Sequence, residues 1–178
     1  MSPPAAAATA AFSASQFRAA LGMFATGVTI VTACGGRGQP VGLTANSFNS
    51  VSLHPPLVLW SLSNRSASMA AFRAGTHYAI NVLAADQLAL AERFAAPGRD
   101  RWEGVAWRRS VAGAPLIEGA VAHFECANRS RYAEGDHVIF VGLVEHCDHD
   151  PRARPLLFHG GRYYTEHELR AHPAAARP

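Results

Sequence analysis

The sequence predicts a mainly β fold, an antiparallel barrel with helices on its periphery. Three observations lead there. Short β-branched and aromatic runs such as VTIVTA, LVLWSL and THYAINVL recur along the chain, separated by Gly, Pro, Asn and Asp clusters. Strands mostly follow strands, which disfavours a βαβ sheet. Only three segments carry helical signals, and all are short.

The elements follow in order. MSPPAAAATAA, residues 1–11, is a Pro/Ala tail outside the expected domain of residues 12–168, and 169–178 form a second tail. Ser13 to Phe24 reads as an amphipathic helix. Ser13 and Gln16 match a capping box, and Phe17, Leu21 and Phe24 share one face. Val28 to Ala33 is a strand, GGRGQP a hairpin turn, and Val41 to Ala45 the returning strand. Leu57 to Leu62 is a strand after Pro55–Pro56. Ser66 to Ala74 is a short helix capped by Ser63 or Asn64. Thr76 to Leu83 is a strand. Asp86 caps a helix from Gln87 to Ala95 that turns Leu88, Ala91 and Phe94 inward. A polar loop, Pro97 to Gly104, comes next. Ala120 to Arg131 and His137 to Cys147 are long strands joined at AEGD. Pro155 to His159 and Arg162 to Tyr164 close the chain through Gly160–Gly161. The count is seven or eight strands and three helices.

Composition removes several chemistries. All 16 basic residues are Arg. Without Lys there is no Schiff base and no Walker-type phosphate loop. The net charge of +3 is spread along the chain, which argues against nucleic acid as the main partner. The Gly-rich turn Gly36–Gly42 misses the dinucleotide fingerprint and precedes a strand. HCDHD, His146 to Asp150, is metal-capable, but nothing else in the sequence completes a ligand set. Cys34, Cys126 and Cys147 form no CxxC pair and read as reduced thiols. No apolar run reaches the ~20 residues that span a bilayer. A soluble cytoplasmic protein is expected.

Chemistry concentrates in GLTANSFNSVSLHPPLVLWSLS, Gly42 to Ser63, rich in hydroxyls and amides yet free of formal charge. Thr44, Asn46 and Ser47 suit the rim of a flat polar heteroaromatic ring, and Phe48, Val51 and Leu53 suit its apolar floor. The same residues also suit a loop that satisfies its own backbone. Ser61, Ser63, Arg65, Ser66 and Ser68 lie at the mouth of the second expected helix. There, free N–H groups and a forked guanidinium favour phosphate. The turn Gly135–Asp136–His137 sets a His at a strand mouth, where it can touch a ligand ring or serve the turn alone.

Five segments carry a resemblance: MFATGVTIVTA, GLTANSFNSVSLHPPLVLWSLSNRS, YAINVLAADQLALAERFA, DRWEGVAW and GDHVIFVGLVE. In this order they resemble the short-chain flavin reductases, the reductase components of two-component flavin-dependent monooxygenases. The likeness runs from about Phe17 to Tyr164. It implies an FMN-binding split β-barrel, a homodimer, and hydride transfer from NADH or NADPH to FMN or FAD. It also implies delivery of reduced flavin, by diffusion, to a monooxygenase. By the same resemblance Thr44, Ala45, Asn46 and Ser47 run along the isoalloxazine, with Ser50 and Val51 close to it. Ser61, Leu62, Ser63, Arg65 and Ser66 approach the ribityl phosphate. Phe94, Arg99, Asp100, Arg101 and Trp102 meet the flavin tail. Asp136 and His137 lie beside the nicotinamide, with His137 in the catalytic role, and Phe158 or Tyr163 closes the site. Trp102 stands where a Phe is frequent in the family. The alternatives are a split-barrel binder of flavin or haem without reductase activity, and an oxidase of the pyridoxamine-phosphate type.

Overall fold

The computed structural model describes residues 11–98 and 101–167. It is mainly β and antiparallel. Its strands are β1 (Thr26–Gly27), β2 (Thr29–Cys34), β3 (Pro40–Ala45), β4 (Asn49–Leu53), β5 (Pro56–Ser63), β6 (His77–Val82), β7 (Trp107–Arg109), β8 (Pro115–Ile117), β9 (Ala122–Glu134), β10 (His137–His149), β11 (Leu156–His159) and β12 (Arg162–Thr165). Its helices are α1 (Ala14–Gly22), α2 (Met69–Ala74) and α3 (Leu88–Ala95).

Seven strands form the main sheet, in the order β3-β2-β6-β9-β10-β5-β4. The two edges, β3 and β4, are consecutive in the chain and joined only by Asn46, Ser47 and Phe48. The sheet therefore curls until its edges approach without pairing, and those three residues bridge the split. A side-chain bond replaces the missing ladder there. β4 stops opposite Leu59, and the Ser47 hydroxyl accepts from the Ser61 N–H at 3.0 Å and donates to the Ser61 carbonyl at 3.3 Å.

Two large apolar clusters and a small third one, of Ala79, Ala114 and Leu116, fill the interior. One gathers Trp60, Phe72, Tyr78 and Phe140, with Trp60 stacked on Phe140 at 4.9 Å. The other joins Val28, Ile30, Leu83, Ala91, Phe94, Ile117 and Leu156 and underlies α3. The β7–β8 hairpin is pinned over the sheet by polar groups. Asn81 Oδ1 accepts from the Ile117 N–H at 2.8 Å, and His123 Nε2 donates to the Ile117 carbonyl at 2.8 Å.

Most elements lie where the sequence put them, including the Ser13–Gln16 capping box. Several do not. α2 begins at Met69 rather than Ser66, and neither Ser63 nor Asn64 caps it. Those residues sit in a turn closed by the Ser66 N–H to Ser63 carbonyl bond. Asp86 caps nothing in α3. A 3-10 turn, Ala85–Gln87, leads into the helix, and Gln87 Oε1 accepts from the Ala84 N–H at 3.0 Å. Ala91 and Phe94 face inward as expected, but Leu88 is 37% exposed. β1, β4, β7 and β8 were not expected as strands. The apolar face of α1 lies open to solvent: Phe17 and Leu21 are exposed, as is Phe24 just beyond the helix.

Candidate active site

The site grows from the edge strand β3. Gly35 donates to the Gln39 carbonyl at the hairpin end, and antiparallel bonding alternates from there. The backbone of Val41, Leu43 and Ala45 thus faces β2, and that of Gly42 and Thr44 faces outward. The outward carbonyl of Gly42 accepts from Arg101 Nη1 at 3.1 Å, as this alternation requires. An edge strand leaves N–H and C=O groups without ladder partners. β3 therefore offers a row of uncharged backbone groups, and it lies at the split.

Val28, Thr44, Ala45, Asn46, Phe158 and Tyr163 line a cavity of about 110 Å³ beside this ledge. β11 and β12 carry Phe158 and Tyr163, whose rings meet at 5.2 Å with 61° between their planes. The ledge and the C-terminal aromatics, more than 110 residues apart in sequence, thus form one wall. Burial, then the charge of Glu92, raises the Tyr163 phenol above its ordinary value and keeps its O–H protonated.

The Thr44 hydroxyl donates to the Ala91 carbonyl of α3 at 2.6 Å. The Ser47 hydroxyl is held by Ser61. Both side chains hold the ledge in place, and their backbone groups remain for a ligand. Ser50 is exposed on β4, as is Val51. Leu62 is buried in the core. The Ser63 hydroxyl accepts from the Arg65 N–H at 3.3 Å, and that of Ser66 from the Ser68 N–H at 3.2 Å. These serines therefore satisfy their own turn.

A second, larger space lies on the other side of Gly42. It measures about 720 Å³ and takes in Ser68, Arg101 and Trp102. Phe94 meets Trp102 edge-on at 5.0 Å, and Trp102 leans on Trp107 at 5.7 Å. Arg99 and Asp100 lie outside the described residues. At the far end of β10, His137 Nδ1 donates to Asp136 Oδ1 at 2.7 Å, which leaves Nε2 as the free ring nitrogen. The hydrogen bond from His137, then its charge, holds the Asp136 carboxyl below its ordinary range, and Arg65 adds to this. His137 pairs with Ser63 across β5 and does not line the cavity that holds Phe158 and Tyr163.

Two residues of HCDHD, Asp148 and Asp150, serve structure. Asp148 takes bonds from His123 Nδ1 at 2.6 Å and Arg108 at 3.0 Å, and Asp150 accepts from the Arg152 N–H at 2.9 Å. Among the described residues no group of three His, Cys, Asp or Glu is placed to hold a metal, and no helix is long and apolar enough to cross a membrane.

Sequence reasoning missed Gly42 and Val28. A Cβ on Gly42 would lie 2.9 Å from Phe94 Cε1 and 3.0 Å from Trp102 Cζ2. A glycine inside a strand marks such a close approach, so the signal was present. Val28 carried none, because its place beside the ledge depends on β11 crossing next to it.

The donor set fits a flavin ring. The ledge is uncharged, its outward amides have no ladder partner, and an aromatic wall flanks it. The flavin reductase like domain matches residues 21–167. The chain is 47% identical over 148 residues to the FMN reductase (NADH) SmoA of Agrobacterium fabrum, covering 83% of each chain. It is 41% identical over 150 residues to the reductase component of a flavin-dependent trigonelline monooxygenase of Acinetobacter baylyi, covering 84% of this chain and 48% of that one. Its fold superposes with a TM-score of 0.80 on the NADH:FAD oxidoreductase SgcE6 of Streptomyces globisporus C-1027, solved with NAD and FAD fragments. That match has 42% identity and covers 90% and 94% of the two chains. The chain belongs to the flavin reductase-like domain family.

Proposed function

We propose that this protein is an NADH- or NADPH-dependent flavin reductase that binds the isoalloxazine of FMN or FAD along Thr44–Ser47 and supplies reduced flavin to a monooxygenase. The observation that carries this reading is the outward backbone of β3 at the split, beside Phe158 and Tyr163.

When bound, the flavin supplies N5 as acceptor for the hydride of the nicotinamide, and that redox chemistry is the cofactor's own. The protein's part is orientation and electrostatics. The Thr44 and Asn46 amides sit where they can donate to ring carbonyls and so favour negative charge on the pyrimidine side. Thr44 and Ser47 anchor the ledge to α3 and β5, so the donors are held before the ligand arrives. Phe158 and Tyr163 shield one side from water. His137, oriented by Asp136, contacts the nicotinamide carboxamide through Nε2. Neutral donors hold the ring without an ion pair, which suits a protein that must let reduced flavin leave. The reduced flavin then diffuses to the monooxygenase in the cytoplasm, where the reductant is made.

The working unit is a homodimer. Leu21 on α1, Phe24 just past it and Leu53 on β4 are 59%, 70% and 82% exposed in the single chain, and an apolar face of that kind is what a partner copy covers. Leu21→Glu is expected to give a monomer by sedimentation.

The test is steady-state kinetics with the four pairs of FMN or FAD and NADH or NADPH. Flavin-dependent oxidation of the nucleotide well above the free-flavin background is expected. A rate at that background for all four pairs, with flavin bound, would favour the binder without reductase activity.

A further inference from the structure

We infer that Arg73 and Arg131 form a binding site for a phosphate group, in a pocket of about 200 Å³ beside α2 that they line with Ala133 and Val138. The site lies apart from the ledge, and the inference does not depend on the flavin reading.

The first ground is placement. Residues directly opposed across antiparallel strands share a face. Arg131 opposes Phe140, and Ala133 opposes Val138. Phe140 and Val138 are buried, so Arg131 stands on the core-facing side of β9, at the end where its own burial gives out. An apolar residue would continue that pattern, and a guanidinium interrupts it. Arg73 reaches the same pocket from α2. Two cations therefore converge on one small space with apolar walls, where like charges repel unless an anion lies between them.

The second ground is pairing. Arg108, Arg152 and Arg154 each meet a carboxylate. Among the described residues, neither Arg73 nor Arg131 does. The acids nearest to Arg131 along the chain are engaged elsewhere. Asp136 Oδ1 holds the His137 ring, and Glu134 opposes His137 on the other face of β9.

The third ground is that both side chains are held in place. Arg131 Nη1 donates to the Arg73 carbonyl at the end of α2, and Arg73 Nη2 donates to Asn64 Oδ1 at 3.4 Å. Asn128 Nδ2 holds the neighbouring Phe72 and Gly75 carbonyls at 2.9 and 3.0 Å, so β9 fixes the end of the helix that carries Arg73. Each guanidinium keeps most of its N–H donors for a ligand. Two such forks can meet the several acceptor oxygens of a phosphate. Two sources carry that chemistry: the free ion, and a phosphate ester such as the 2′-phosphate that distinguishes NADPH from NADH.

Calorimetric titration of the full chain with orthophosphate, with FMN in excess to occupy the flavin's own phosphate contacts, tests the assignment. One site is expected, weakened about tenfold or more in Arg73→Gln, which leaves the Arg131 bond to the helix carbonyl intact. Arg131→Lys keeps the charge and loses the fork, and is expected to weaken binding as well. Steady-state kinetics then separate the sources. Phosphate that raises KM for NADPH and not for NADH assigns the site to the 2′-phosphate, and phosphate that changes neither assigns it to the free ion. No heat of binding up to about 10 mM phosphate, or binding of equal strength in wild type, Arg73→Gln and Arg131→Lys, overturns the site.

Discussion

Gly42→Ala is the most direct probe of how the ledge is held. The new methyl would stand 2.9 and 3.1 Å from two atoms of the Phe94 ring and 3.0 Å from Trp102 Cζ2. Carbon atoms in contact prefer ~3.5–4.0 Å, so roughly half an ångström or more must be found on two rings at once. Neither ring can easily give way. Phe94 is 1% exposed, Trp102 is fixed edge-on against it, and Trp107 stands behind Trp102. Backing α3 away would strain the Thr44 bond to the Ala91 carbonyl. Overpacking of this kind costs about 1–3 kcal/mol. For a chain of this size that lowers Tm by about 2–12 °C. Because β3 is one of the two things that can move, flavin affinity falls too, by roughly fivefold for each ~1 kcal/mol passed to the ledge. The assay is thermal unfolding alongside a flavin fluorescence titration. Adding Phe94→Leu, which removes the ring atoms in the way, recovers part of the flavin affinity. A Gly42→Ala protein with unchanged Tm and unchanged flavin titration would refute the close packing of β3 on α3.

Further outcomes follow from the same geometry. Ser47→Ala leaves the Ser61 N–H at the split without its partner and lowers stability by about 1–3 kcal/mol, measured by urea unfolding. Thr44→Val leaves the ledge amides in place, so it lowers Tm while flavin affinity changes less than in Gly42→Ala. Asp136→Asn weakens the hold on the His137 ring, and KM for NADH rises more than the flavin Kd; an equal rise in both would displace His137 from the nicotinamide. Tyr163 has a raised phenol pKa, so its neutral form is favoured by folding. That contribution is whole below the ordinary tyrosine value of about 10 and is lost as pH rises through the higher folded value. Wild type should therefore lose stability on the alkaline side more steeply than Tyr163→Phe, as read from Tm against pH.

The local code of this chain is plain in its sequence. β-branched runs between turn residues specify the strands, Ser13 and Gln16 specify the start of α1, and the uncharged Gly42–Ser63 stretch marks where a neutral ring can lie. These depend on neighbours a few residues apart, which a sequence displays directly. The turn at Ser63–Ser68 was misjudged because its serines bond their own backbone, and so compete with the helix they were expected to cap. Curling the sheet was a tertiary decision. It made β3 and β4 its two edges, turned the Thr44 and Ser47 hydroxyls onto Ala91 and Ser61, and brought Phe158 and Tyr163 to the ledge across most of the chain. Which amides remain free for a ligand depends on which strand lacks a neighbour, and strand adjacency is a property of the whole curled sheet, absent from any local run of residues.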